Sequence, residues 1–190
     1  KDRIMKTVPT KIDGLMIIEP KVHHDKRGYF FESFRSDIMT IKKYKFVQEN
    51  ESFSSKGALR GLHFQLPPFV QAKLVRVVSG SVYDVAVDLR IGSPTFGKWH
   101  GEILSGENKR QFLIPEGFAH GFITLQDNTI FQYKCTNYYS SENEGGISYR
   151  DNELNINWSA ISGIPEIDFL LTQKDKDYPL LNNFNSPFIF

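Results

Sequence analysis

The chain has 190 residues, of which 23 are basic and 22 acidic, for a net charge of +1. This length suits one all-β domain, and we expect a single domain over residues 1–190. The balanced charge gives no overall field that would favour nucleic acid or an anionic membrane as a partner. The single cysteine, Cys135, excludes an intramolecular disulfide and a multi-cysteine zinc site.

The N-terminal quarter contains one helical pattern. It begins near Ser36, a residue type that caps helices, and runs through Lys43. We expect Met5 to be the natural start, with residues 1–4 a remnant added to it. No apolar run approaches the roughly 18 residues that span a bilayer, and no signal-peptide pattern opens the chain, so we expect a cytoplasmic protein.

The middle of the chain alternates by two between turn signals, which predicts strands. The clearest pattern predicts a hairpin from Lys73 to Leu89, turning at Ser79-Gly80. In its second arm Tyr83, Val85, Val87 and Leu89 share one face, and Val82, Asp84, Ala86 and Asp88 share the other. Further strands are predicted at 99–104, 111–114, 121–125 and 130–136, and a loop-rich or short-helical cover after Trp158. The pattern is typical of an all-β sandwich or barrel.

A histidine and a lysine stand on consecutive predicted strands. His63 lies in LRGLHFQ (59–65), and Lys73 follows ten residues later. A histidine can accept a proton at neutral pH, and an ammonium can stabilise the negative charge that remains on the substrate. This pair suits proton removal next to a carbonyl. The alternatives are a structural histidine and an edge lysine whose ammonium reaches solvent.

Histidine spacing argues against a catalytic metal. Metal-binding small barrels present two closely spaced histidines, a carboxylate and a distant third histidine. Here Gln65 follows two residues after His63, and His120 has no near histidine partner. We therefore predict no metal. His23 and His24 precede a polar turn, and His100 is an ordinary strand residue.

Tyr133 is a candidate acid on the strand predicted at 130–136. Its phenol can donate or accept a proton beside a pocket. The alternative is a core tyrosine with a hydrogen-bonded hydroxyl.

Several motifs together resemble the dTDP-4-dehydrorhamnose 3,5-epimerase family. They are DKRGYFFESF (25–34), FVQEN (46–50), LRGLHFQ (59–65), IPEGFAHGF (114–122) and Lys174-Asp175. Their order and spacing cover nearly the entire chain, so the set is more specific than any one motif.

The resemblance implies a cupin-type jelly roll with a few short helices near its two ends, assembled as a homodimer with strand exchange. It implies no cofactor. The family inverts C3 and C5 of a nucleotide-linked 4-keto-6-deoxyglucose to give the 4-keto-L-rhamnose form. By this resemblance His63 is the base, Tyr133 the acid on the opposite face, and Lys73 the cation at the enolate oxygen. Asp175 completes a His-Asp dyad, with Asp168 and Asp177 as nearby alternatives.

The resemblance also implies substrate contacts. Arg60 meets a phosphate, and Arg27 and Glu32 reach the ligand from the partner subunit. Gln48, Glu49 and Asn50 line the base pocket, His120 and Lys174 lie near the sugar or diphosphate, and Tyr139 and Glu144 contact the pyrimidine. For each, an exposed structural polar residue is the alternative.

Three rival functions remain open at this point. One is a single-position epimerase, or an epimerase of another 4-keto sugar. The second is a jelly-roll domain that binds a sugar nucleotide without turnover. The third is a metal-dependent cupin oxygenase, which the spacing at His63 and Gln65 disfavours.

Overall fold

Two antiparallel sheets pack face to face in the computed structural model, which describes residues 5–190 except for the side chains at 39 and 40. The expectation about residues 1–4 falls outside this part of the chain. The strands, in chain order, are β1 (Met5–Pro9), β2 (Met16–Pro20), β3 (His23–Asp25), β4 (Gly28–Phe30), β5 (Gln48–Ser54), β6 (Leu59–Gln65), β7 (Lys73–Ser79), β8 (Ser81–Asp88), β9 (Trp99–Ser105), β10 (Gln111–Ile114), β11 (Phe118–Thr124), β12 (Thr129–Cys135) and β13 (Glu144–Gly146).

The strand order defines a six-stranded and a five-stranded sheet. The first has the order β1-β2-β10-β7-β12-β5, and the second has the order β13-β6-β11-β8-β9. Strands β3 and β4 form a separate two-stranded hairpin. The arrangement confirms the predicted all-β jelly-roll sandwich.

The helices are short and lie near the two ends of the chain. They are α1 (Met39–Lys42), α2 (Trp158–Ser162) and α3 (Gln173–Asp177), with 3-10 turns at Ser141–Asn143, Glu166–Asp168 and Leu181–Asn183. The helix predicted to begin near Ser36 begins two residues later. Ile38 occupies the N-cap position without a side-chain hydrogen bond, and the Asp37 carboxylate pairs with Arg35 instead. No helix among residues 5–190 is long and apolar enough to cross a membrane.

The predicted hairpin from Lys73 to Leu89 was wrong. Both strands exist, but β7 belongs to the six-stranded sheet and β8 to the five-stranded sheet. Gly80 makes the crossing with φ of 79°, where a Cβ atom would lie 2.2 Å from Thr129 Oγ1. The sequence pattern is the same for a hairpin and for a crossing between facing sheets, because each consists of two alternating strands joined by a short turn with glycine.

Strand β8 is buried on both faces, as the alternation allowed. Val85 and Val87 pack against the C-terminal segments that cover the outer face of the five-stranded sheet. Val82 and Ala86 pack between the two sheets. The strands predicted at 99–104, 111–114 and 130–136 match β9, β10 and β12 within one residue, and β11 begins three residues before the predicted 121.

Candidate functional site

Polar side chains project into the space between the sheets at one end of the sandwich. Each stands two residues from an apolar residue of its own strand that packs in the inter-sheet core. They are Lys73 beside Val75, Asp84 beside Val82 and Ala86, His120 beside Phe122, and Tyr133 beside Phe131. Strand alternation therefore places a cluster of titratable groups in an otherwise apolar interior.

Two glycines allow the histidine-bearing strands to approach each other. His63 on β6 lies directly opposite His120 on β11. Next to this pair, a Cβ atom on Gly61 would lie 2.5 Å from the Cα of Gly121. A side chain at Gly61 would push the strands apart and separate the two rings.

His63 is hydrogen-bonded to Asp175. The His63 Nε2 to Asp175 Oδ1 distance is 2.6 Å, and the Asp175 carboxylate also accepts from Thr172 at the start of α3. Burial would raise the pKa of Asp175, but the hydrogen bonds from His63 and Thr172 outweigh it and hold that pKa at about 2. Asp177 is bonded to Gln173, and Asp168 lies in the turn Glu166–Asp168, so of the three aspartates Asp175 is the one that contacts His63.

A second histidine-aspartate pair lies deeper. His120 Nε2 is 3.0 Å from both carboxylate oxygens of Asp84. Both side chains are buried. Burial raises the pKa of Asp84 and lowers the pKa of His120, while their mutual hydrogen bond opposes each shift. The sequence prediction missed Asp84, although a carboxylate on an apolar strand face requires a partner and could have signalled one.

Lys73 and Tyr133 complete the cluster on neighbouring strands. Lys73 lies opposite Cys135, and Tyr133 lies opposite Val75 on one side and Asn50 on the other. Burial lowers the pKa of the Lys73 ammonium and raises the pKa of the Tyr133 phenol. A protonated phenol at neutral pH is suited to act as an acid.

Two cavities meet at His63, Lys73 and Tyr133. The first, of about 320 Å³, is also lined by Gln48, Asn50, Phe64, Gln65, Gln71, Tyr139 and Glu144, and is called the amide cavity below. The second, of about 210 Å³, is also lined by Ser52, Arg60, His120, Phe122, Phe131, Thr172, Lys174 and Asp175, and is called the cationic cavity. The three shared residues thus face a ligand that occupies either cavity or both.

Hydrogen bonds hold the rim of the amide cavity in place. Gln48 donates to Asn50 and accepts from the backbone of Tyr139, at 2.9 and 3.0 Å. The Tyr139 hydroxyl donates to Glu144 at 2.7 Å, and Lys174 pairs with the same carboxylate at 2.7 Å. Amide, phenol and carboxylate groups of this kind can recognise the polar edge of a pyrimidine.

Three predicted contact residues lie away from both cavities of this chain. Glu49 points to the opposite face of β5 from Gln48 and Asn50, where it pairs with Lys134 at 2.7 Å. Because side chains alternate along a strand, three consecutive residues cannot all face one pocket. Arg27 lies on the exposed β3-β4 hairpin and pairs with Asp25, and Glu32 lies 3.3 Å from Arg35.

Residues that the sequence prediction missed include Ser52, Gln71 and Thr172, which line the cavities. Their positions could not be assigned because serine, glutamine and threonine are common on strand faces and loops. Residues 5–190 contain no group of three or more His, Cys, Asp or Glu side chains that could hold a metal ion. The Gln65 side chain accepts a hydrogen bond from the backbone of Ser140.

A separate cleft of about 370 Å³ lies near α2. Its charged groups are occupied by contacts within the protein. Arg150 pairs with Glu166, and Asp151 accepts from the backbone of Glu153, Leu154 and Leu181. The chemistry is therefore concentrated at the two cavities around His63.

The family model described as dTDP-4-dehydrorhamnose 3,5-epimerase matches residues 9–183. A curated Shigella flexneri protein named dTDP-4-dehydrorhamnose 3,5-epimerase is 52% identical over 174 residues, which is 90% of this chain and 93% of that protein.

Solved structures give the same likeness. A dTDP-6-deoxy-D-glucose-3,5-epimerase from Legionella pneumophila, in complex with dTDP-4-keto-L-rhamnose, is 50% identical with a TM-score of 0.88 and covers 95% of each chain. A 3'-monoepimerase from Streptomyces bikiniensis, in complex with dTDP-quinovose, is 34% identical with a TM-score of 0.82 and covers 92% of this chain and 87% of its own.

Proposed function

Because the chain belongs to the dTDP-4-dehydrorhamnose 3,5-epimerase family, we propose that it converts dTDP-4-dehydro-6-deoxy-D-glucose to dTDP-4-dehydro-L-rhamnose by inverting C3 and C5. The observation that carries this proposal is the His63-Asp175 hydrogen bond at the wall that Lys73 and Tyr133 share. These side chains supply a base, an acid and a cation without a metal or a redox cofactor.

His63 removes the proton next to the C4 ketone. Its Nε2 is held by Asp175, so Nδ1 is the nitrogen available to accept the proton. An ionised aspartate in this position fixes the ring tautomer and stabilises the imidazolium that forms. The low pKa of Asp175 keeps it ionised at neutral pH.

Lys73 and Tyr133 complete each inversion. Proton removal moves the electron pair into an enolate whose oxygen the Lys73 ammonium stabilises. Tyr133 then gives its phenolic proton to the same carbon from the opposite face, and solvent restores both groups. C3 and C5 flank one carbonyl, so one base and one acid serve both centres when the ring reorients between steps.

The two cavities divide the substrate by chemistry. Gln48, Asn50 and Tyr139 in the amide cavity suit the pyrimidine, and Glu144 contributes an acceptor there. Arg60 and Lys174 in the cationic cavity suit the diphosphate. Glu49 is left out of this proposal because it faces away from both cavities.

Arg27 and Glu32 would act in a homodimer with strand exchange, in which they reach the partner's ligand. The exposure of the aromatic side chains on the same hairpin, 56% for Tyr29 and 69% for Phe30, supports a partner surface there. We also infer a cytoplasmic location.

Solvent exchange tests the proposed reaction. In D₂O, with no added metal or redox cofactor, the wild-type protein should incorporate deuterium at both C3 and C5 of the 4-keto substrate, and the product should have the L-rhamno configuration. Folded protein and confirmed substrate that give no label at either carbon would reject the proposal.

A single-position epimerase is the second candidate, favoured by the structural likeness to a 3'-monoepimerase. It predicts inversion and stable labelling at one carbon only. Product stereochemistry at C3 and C5 therefore separates the two candidates. A domain that only binds the nucleotide sugar would label neither carbon.

A further inference from the structure

We propose that Asp84 is a positioning residue of the site, which orients the His120 ring and supplies the counter-charge that keeps Lys73 cationic between the two sheets. This inference rests on the proposed function, because it concerns the cation that stabilises the enolate. Asp84 is a buried carboxylate. Among the hydrogen bonds of the described residues, none joins it to the base His63 or to the acid Tyr133.

The geometry places Asp84 behind the cationic cavity. Asp84 projects from β8 into the space between the sheets, on the face of Val82 and Ala86. Lys73 projects into the same space from β7, on the face of Val75 and Val77. His120 lines the cavity, and its Nε2 lies within hydrogen-bond distance of both Asp84 oxygens, so Asp84 fixes the ring from behind.

The other carboxylates near Lys73 are engaged elsewhere. Asp175 is bonded to His63 and Thr172, and Glu144 to Lys174 and Tyr139. Cys135 faces Lys73 across the β7-β12 pair, but burial raises the pKa of its thiol, so it is uncharged at neutral pH. Asp84 and Glu144 are therefore the negative groups that can compensate the Lys73 ammonium, and Asp84 is the fully buried one between the two sheets.

Charge compensation decides whether Lys73 can work. Burial in an apolar interior disfavours the ammonium form, and Asp84 and Glu144 act against that loss. Only the ammonium form stabilises an enolate oxygen. Without the Asp84 charge, the pKa of Lys73 falls further, and the fraction of active enzyme decreases as pH rises.

The experiment measures the pH profile of kcat/KM for Asp84→Asn and for the wild type. The alkaline limb of this profile reports the loss of a proton from a group that must be protonated in the free enzyme, which the proposal identifies as Lys73. In Asp84→Asn we expect the alkaline limb to move to lower pH by about one unit. On the alkaline side kcat/KM should then be roughly tenfold lower than in the wild type, in addition to any loss that is also seen at low pH. Lys73→Arg should move the limb out of the measured range, since a guanidinium stays charged, and this assigns the limb to Lys73.

Asp88→Asn is the matched control on the same strand. Asp88 is buried and bonded to Arg90, Ser93 and Thr95, away from both cavities, so its loss should affect stability and leave the alkaline limb in place. Asp84→Glu keeps the charge but displaces the carboxylate, so it should keep the limb and lower kcat. This variant also serves if Asp84→Asn does not fold.

An unshifted limb in folded Asp84→Asn, or an equal shift in Asp88→Asn, would overturn the role of Asp84. If Asp84→Asn does not fold, a limb moved to lower pH in Asp84→Glu would do the same. A wild-type protein that exchanges no label from solvent would instead contradict the proposed function.

Discussion

The two histidine-aspartate pairs of this protein have similar contacts and different surroundings. The His63 side chain is 25% exposed and meets an aspartate carried by the short helix α3. The His120 side chain is 9% exposed and meets an aspartate in the middle of a strand that is buried on both faces. A base that removes a proton must touch substrate and return its proton to solvent, and the more exposed His63 ring, which lines both cavities, is better placed for this.

The two aspartates also differ in their hydrogen-bond donors and in the direction in which their pKa values are shifted. Asp175 has several donors and a pKa of about 2, so it is a fixed negative charge behind His63. Asp84 has one side-chain donor, His120, among the hydrogen bonds of residues 5–190, and burial raises its pKa. The first pair is therefore organised for proton transfer, and the second for holding charge and geometry around the cationic cavity.

Removing the first histidine should have the largest effect. His63→Ala should lower kcat by about 10⁴, the upper range for loss of a general base, and should abolish exchange at both carbons. Rate measurements by product formation and by deuterium incorporation check this. The control is His100→Ala, because His100 lies on β9 outside both cavities. Full activity in His63→Ala would contradict the assignment of the base.

Asp175→Asn should have the next largest effect, with kcat lowered by about 10³ because the amide can no longer fix the basic tautomer or stabilise the imidazolium. Steady-state kinetics should show the loss mainly in kcat. Asp177→Asn is a matched control on the same helix, where the side chain bonds only Gln173 among the hydrogen bonds of residues 5–190. Equal losses in the two variants would point to helix stability instead of the dyad.

Tyr133→Phe should separate proton removal from inversion. Without its hydroxyl, exchange driven by His63 should persist, while formation of inverted product should fall by about 10². Deuterium incorporation and product stereochemistry, measured on one sample, give both rates. Exchange and inversion that fall together would show that Tyr133 is not the opposite-face acid.

The sequence predicted the residues that carry local signals. Alternation located β9, β10 and β12 within one residue, and the motif around His63 led to the cluster between the two sheets. It could not assign the sheet of each strand, since Ser79-Gly80 reads the same for a hairpin and for a crossing. The sequence prediction missed Asp84 as a site residue for a related reason. Its partner His120 is 36 residues away on the neighbouring strand, and the register of that pair is a property of the folded sheet.

The assignment of His63 as the base also predicts a small effect on kcat when Tyr178, whose ring contacts His63, is replaced. Its ring meets the His63 ring at 5.5 Å and 63°, and rests on Gly146, where a Cβ atom would lie 2.7 Å from it. Its hydroxyl is buried without a hydrogen-bond partner among the described residues, so the ring is the part that can position His63.

Tyr178→Leu should lower kcat by a few-fold with little change in KM, because the His63 ring gains freedom while Asp175 still holds one nitrogen. Tyr178→Phe should keep the rate and match or exceed the wild-type melting temperature, because it removes an unpaired buried hydroxyl. A loss of rate in Tyr178→Phe equal to that in Tyr178→Leu would instead assign the effect to the hydroxyl.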